Sequence, residues 1–484
     1  MRYLEYKLFS GGYVNRFLAA GVFTRESPFR KTVLHGKVNE WLIRGPSIYD
    51  NPCRAEIVKE RMGHIPPYMD ISGLFPGDEI EVFGQKKKLK VYFPFGNVGV
   101  DDSKFYTNPA YLRSYGYSCL VVPEEERAEF ELSTCGALTV WLNDALVTDF
   151  TPFQRNMEQQ TVISMTLRKG MNKLVVCLED LAERDTSFSY KIRYLGGQDI
   201  RMRIPVKEET DTGTIMKAED ALSRMYFDKE AYLSEPIYLN LESFSDVPVE
   251  MILTPDRFTG PKRYLIQPGQ KGMTLFHADE IASSFYFFNV EVTVSGIAIS
   301  NVIGTYSFNT RFMGYHEDTY EERKQRIKDI IRDTDRNSDY RAVILLHEGV
   351  TPDNLEEILS THLEWVNEKR DCSDFRLIIM AYMYARFSNR FSEKLKREVE
   401  DAMAGYRYWI DEPGDDVMWF FSENHALMFH ICQYIAGKTM PERIFTCSGM
   451  TGKEACKKAE GLLDIWFESF FTEFATEWNS STYL

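Results

Sequence analysis

Long apolar runs are missing from this chain of 484 residues. No stretch approaches the ~20 residues that a helix needs to cross a bilayer. The start, Met1-Arg2-Tyr3-Leu4-Glu5-Tyr6, lacks the basic-then-apolar order and small-residue cleavage site of a secretory leader, so a cytoplasmic protein is expected. Positive charge is also scarce. With 57 basic against 72 acidic residues the net charge is -15, which repels a phosphate backbone and argues against nucleic acid or an anionic membrane as a partner. The one basic cluster, Lys86-Lys87-Lys88-Leu89-Lys90, sits between Gly84 and Val91-Tyr92-Phe93 and reads as a solvated hairpin flank. Eight cysteines occur without a Cys-x-x-Cys pair, so neither a zinc site nor a disulfide framework is signalled, and reduced, buried thiols are expected. Gly-x-x-x-x-Gly-Lys, a helix-opening Gly-x-Gly-x-x-Gly and Gly-x-Ser-x-Gly are absent too, which removes the commonest nucleotide enzymes and serine hydrolases. No cofactor and no metal is called for.

What is present is apolar matter in quantity: 44% hydrophobic and 14% aromatic residues, enough for a folded chain that is too long for one core. To about Asn309, short β-branched and aromatic runs alternate with Gly, Pro, Asn and Asp, the punctuation of an all-β region. Asn143-Asp144 offers a tight turn between Leu138–Leu142 and Leu146-Val147. The acidic string Leu178–Asp185 reads as a solvated loop with internal ion pairs after a strand that ends at Leu178. After Phe312 the period changes: Thr319–Asp333 is a charged surface helix, and four or five longer helices follow, joined by short loops. They are expected to begin near Asp353, after Asp371 or Ser373, after Ser392 (running to about Ile410), near Met418 (ending at Gly437) and near Gly452.

The expected organisation is therefore multidomain, all-β then all-α. Residues 1–88 form a β-rich segment, 89–200 a β-sandwich, 201–312 a second sandwich or linker sheet, 313–340 a linker helix, and 341–484 a helical hairpin array. Leu138-Thr139-Val140-Trp141-Leu142-Asn143, Thr151-Pro152-Phe153 and Leu167-Arg168-Lys169-Gly170-Met171-Asn172-Lys173-Leu174-Val175-Val176 resemble the galactose-binding-like jelly-roll modules of bacterial glycosidases, with Asp144 where those modules carry a turn glycine. The resemblance covers roughly 89–197 and implies a carbohydrate-enzyme context. In such enzymes an (α/α) toroid follows. The helices counted here fall short of a full one, so an N-terminal part of a longer protein is expected.

Chemistry concentrates in Tyr406–His425, where Trp409, Trp419 and Tyr408 accompany Glu412, Asp415, Asp416, Glu423, Asn424 and His425 at a junction of two helices. Aromatic faces and carboxylates suit an oligosaccharide or polysaccharide, and glycosidic chemistry needs positioned acid and base groups. Ser422-Glu423-Asn424-His425 resembles the Asn-His pair of polysaccharide lyases acting on uronic-acid polymers. The resemblance implies that Asn424 neutralises a substrate carboxylate and His425 acts as base, with Tyr408 or Tyr483 as proton donor and Trp478 nearby. The competing enzyme is a glycoside hydrolase using Glu423 with Asp415 or Asp416. Two plainer readings stand beside these: Asn424 and His425 as satisfied groups tying helices together, and Asp415-Asp416 as a helix cap. The function expected is cleavage of glycosidic linkages, in acidic sugars if by elimination. The alternative is a non-catalytic carbohydrate-binding or scaffold protein.

Overall fold

Alternating apolar and polar residues, interrupted by turns that need left-handed backbone, build the first half of the chain. The computed structural model describes residues 2–26, 58–59, 61–62, 64–233, 235–256, 260–281, 284–307, 319–332, 338–412, 416, 418–420, 422–473 and 477. Its first unit contains β1 (Arg2–Leu8), β2 (Phe17–Glu26), β3 (Glu79–Val82), β4 (Gln85–Lys88), β5 (Lys90–Tyr92), β6 (Val100–Asp101) and β7 (Lys104–Val122). It continues with β8 (Glu126–Thr134), β9 (Ala137–Leu142), β10 (Ala145–Phe150), β11 (Gln159–Leu167), β12 (Gly170–Thr186), β13 (Ser189–Tyr194) and β14 (Ile200–Val206). One sheet runs β1-β14-β7-β12-β9-β10, with β2 bridging β7 and β5; a four-stranded sheet runs β11-β8-β13-β6. Leu120, Phe130, Leu132, Val140, Val176 and Ile192, drawn from both sheets, are all 0% exposed in one core.

The turn at Asn143-Asp144 forms as read: both residues have positive φ, 50° and 70°, the mirror-image turn that matches strand twist. Gly170 (φ 89°) opens β12, and Asn172 beside it is wholly buried. Its amide donates to the carbonyls of Arg168 and Gly170 and accepts from Arg168 N–H and Asn143 Nδ2. The lysine run lies on the β3–β4 hairpin with Lys86 and Lys88 exposed.

The acidic string does not leave the sheet. β12 pairs with β7 from Gly170 to Thr186, and Glu179 and Asp180 are 0% and 1% exposed. A buried carboxylate survives only when paired and hydrogen-bonded. Glu179 receives Arg61 Nε, Arg113 Nε (2.8 Å) and Tyr111 OH (2.8 Å), and Arg61 also grips Asp149.

A second β unit follows helix α1 (Thr212–Ser223), which Asp211 caps by accepting Thr214 N–H. It comprises β15 (Tyr226–Phe227), β16 (Ala231–Tyr232), β17 (Pro236–Asn240), β18 (Val249–Pro255), β19 (Lys262–Ile266), β20 (Met273–His277), β21 (Ser284–Val294) and β22 (Ile297–Ser307). These make a five-stranded sheet, β16-β22-β21-β18-β19, and a three-stranded one, β15-β17-β20. One hydrophobic core joins Leu4, Leu18 and Ile204 of the first unit to Ile215 of α1 and Met251, Phe288 and Ile299 of the second.

The remaining described helices are α2 (Tyr320–Arg332), α3 (Asp339–His347), α4 (Leu355–Asn367), α5 (Asp374–Phe387), α6 (Glu393–Gly405), α7 (Glu423–Thr439) and α8 (Gly452–Glu473). α2 buries no residue, as its charge predicts. None of the described helices is long and apolar enough to cross a membrane. Two boundaries differ from the sequence reading. α6 stops at Gly405, and the chain beyond it packs Tyr406, Tyr408 and Ile410 inward at 1% exposure each. α7 starts at Glu423 and runs through Gly437, which is kept for contact rather than termination: a Cβ there would lie 2.4 Å from the Gly452 carbonyl oxygen.

Helices and sandwich meet at the far ends of β7 and β12. Arg184 pairs with the wholly buried Asp371 carboxylate and lies 5.0 Å over the Trp419 ring. Asp371 Oδ1 also accepts Trp419 N–H (2.9 Å), and Asp371 N–H donates to the Thr107 carbonyl (3.2 Å).

Candidate functional site

Ser373 ends the turn before α5 and leaves Asp374 as the first helical residue, pointing across to the first turn of α7. There the Asp374 carboxylate, 0% exposed, meets His425 Nδ1 at 2.6 Å. A carboxylate accepts, so Nδ1 carries the proton and Nε2 keeps a lone pair. Nε2 has no hydrogen-bond partner among the described residues. Burial pushes the Asp374 carboxyl up, while the bond to His425 pulls it back toward the ionised form. Its second oxygen, Oδ1, is buried without a partner among the described residues. Phe375 meets the imidazole edge-on at 5.3 Å and fixes the ring plane. The His425 side chain keeps 10% of its surface exposed.

Asn424 and Glu423 stand beside this pair. Asn424 Oδ1 accepts Ser422 Oγ–H (2.5 Å) and His425 N–H (2.7 Å), which orients the amide. Glu423 Oε2 accepts Glu477 N–H (3.0 Å), and Glu477 Oε2 accepts Asn424 N–H (3.1 Å), so two carboxylates staple a later stretch of chain onto the helix start. Trp466 Nε1–H donates to the Glu423 carbonyl at 2.9 Å.

The other expected site residues have different surroundings. Both Asp416 oxygens accept Arg407 Nη1–H at 3.1 Å, and Oδ1 takes Met418 N–H. Since α7 begins seven residues later, Asp416 caps no helix and instead holds Arg407 and the Met418 backbone. Tyr408, 1% exposed, donates its hydroxyl to the Met403 carbonyl and presents no face to solvent. Trp409 packs against His430 with the rings tilted (centroids 4.4 Å apart) and meets Phe420 edge-on, and the Trp419 ring lies under Arg184. Asp415, Trp478 and Tyr483 lie outside the described residues. Asp374 and Glu477 escaped the sequence reading. Asp374 carries only the signal of an acidic residue after a serine N-cap, which reads as capping. Among the described residues no group of His, Cys, Asp and Glu could hold a metal ion.

No protein-family model and no curated protein matches the chain. Among solved structures, a GH2 β-galacturonidase from Eisenbergiella tayi is similar at 10% identity over 47% of this chain and 40% of that one, with a TM-score of 0.14. A β-glucosidase from Kluyveromyces marxianus gives 10% identity, 48% and 50% coverage and 0.20. An anti-sigma factor domain-containing protein from Clostridium clariflavum gives 10%, 46% and 94%, and 0.18. The chain spans 40% to 50% of the length of these two glycosidases. Likenesses at such scores carry no argument about fold or activity.

Proposed function

We propose that the chain belongs to a carbohydrate-active enzyme that breaks glycosidic linkages in an oligo- or polysaccharide of acidic sugars, with His425 as base. The sandwich is read as a galactose-binding-like module and the helices from α3 on as the opening of an (α/α) toroid. The observation that carries the proposal is the 2.6 Å contact of the wholly buried Asp374 with His425 Nδ1. It holds the imidazole in the tautomer whose Nε2 accepts a proton and stabilises the imidazolium that results. In an elimination, Nε2 takes the proton next to a uronate carboxylate, the C–H electrons form a C=C bond, and the C–O bond breaks with its electron pair on the leaving sugar's oxygen, which takes a proton from water. Asn424 stands beside the imidazole with its carbonyl end held by Ser422 and His425, and is the residue proposed to meet the substrate carboxylate. Asp416 is held by Arg407 and Glu423 by Glu477, so elimination is favoured over a two-carboxylate hydrolysis.

The test is a panel of uronic-acid and neutral polysaccharides, with unsaturated products read by ultraviolet absorbance and new reducing ends by colorimetry. His425→Ala and Asp374→Asn should lower kcat by about a hundredfold or more, with circular dichroism unchanged. Full activity in His425→Ala would remove the base. Saturated products alone would transfer the reading to hydrolysis.

A further inference from the structure

The aromatic and carboxylate chemistry sought among the helices recurs in the β half, on an open concave surface. A cavity of about 490 Å³ lies between the first sandwich and β21–β22, and a second of about 470 Å³ adjoins it. The two share Pro94, Phe95 and Asn97, so this loop is a saddle between two basins of one groove. Phe95 sits at the saddle with φ 42°, a left-handed conformation rarely adopted by a residue with a Cβ, followed by Gly96 at 95°. Strained backbone of this kind gathers at ligand sites, where the surrounding fold holds a side chain in place.

The first basin is lined by Tyr92 and Phe95, both half-buried against the flanking cores, together with Asp102, Asn289 and Glu291. The side chains of Asp102, Asn289 and Glu291 make no hydrogen bond or ion pair among the described residues. Burial pushes the Asp102 carboxyl above the usual carboxylate range, with Lys104 opposing it. Among the lining residues Asp101, Asp102 and Glu291 outnumber the one cation, Lys90, with Lys104 and Lys87 also acting on Asp102, which disfavours an anionic ligand; no group that could hold a metal occurs among the described residues. Unmatched acceptors, an amide and aromatic faces are complementary to the hydroxyls and C–H faces of a neutral sugar. The double basin suits more than one ring.

We infer that this groove is a second, non-catalytic binding site for a neutral oligosaccharide chain, separate from the His425 centre. It stands on its own lining and survives failure of the elimination reading. Affinity electrophoresis of the full chain through gels holding xylan, mixed-linkage β-glucan or galactomannan should show retardation by at least one of them. Phe95→Ala and the conservative Glu291→Gln should each weaken that retardation by about tenfold, while His425→Ala should keep it. The inference is overturned if none of the three gels retards the chain or if both groove variants bind as the unaltered chain does. It is equally overturned if titration shows spermidine binding with no neutral glycan bound, since the groove would then be a cation site.

Discussion

His430 offers the sharpest quantitative test of the helical core. It is 3% exposed, lies 4.4 Å from the Trp409 ring, and has its Nδ1 buried without a partner among the described residues. Burial lowers its pKa from 6.5 to about 4, with Lys458 adding to the depression and Asp411 opposing it. The folded form therefore holds a neutral ring while the unfolded chain takes up a proton. Stability from this group is complete above pH 6.5 and is lost as the pH falls toward 4. Between pH 7 and pH 5 the loss amounts to about 2 kcal/mol. Replacing the ring by another flat one, His430→Phe, keeps a ring packed against Trp409 and removes the titrating group. Urea unfolding should be followed by tryptophan fluorescence and far-ultraviolet circular dichroism at both pH values. The unaltered chain should lose about 2 kcal/mol more than the variant over that interval. The raised carboxyls of Asp374 and Glu412 act in the opposite direction and are common to both proteins, so they cancel. Parallel pH profiles would refute the reasoning, because they would mean that His430 titrates alike in the folded and unfolded chain.

Two further outcomes follow from buried polar groups. Arg184→Met leaves the Asp371 carboxylate buried and without its cation, and should cost about 3 kcal/mol, seen as a lower midpoint in thermal unfolding and faster proteolysis between sandwich and helices. Asn172→Ala strips the β12 turn of its hub and should cost about 2 kcal/mol, with the melting temperature as the readout; an unchanged value would mean that water replaces the amide.

Local chemistry was legible in the sequence, and long-range pairing was not. The β-then-helix order, the Asn143-Asp144 turn and the charged α2 rest on near neighbours and on period. Glu179 looked solvated because the guanidiniums that neutralise it lie 118 and 66 residues away along the chain. Asp374 is 51 residues from His425 and Glu477 is 54 from Glu423, so neither could be paired by motif. The helix boundaries at Gly405 and Glu423 were displaced because tertiary burial of Tyr406, Tyr408 and Ile410 outweighs the helical period there. Histidine, asparagine and glutamate could be singled out as a cluster; which of them keeps a free nitrogen depends on partners that only folding supplies.

The short stretch 371–374 does two jobs at once. Asp371 is bolted to the sandwich by Arg184, and Asp374, three residues along at the first position of α5, steers the imidazole. The β half thus serves as a jig for the start of α5: slackening the Arg184 bolt would tilt that end of the helix and shift the imidazole, and on the proposed function it would lower activity without altering His425 or Asn424 themselves.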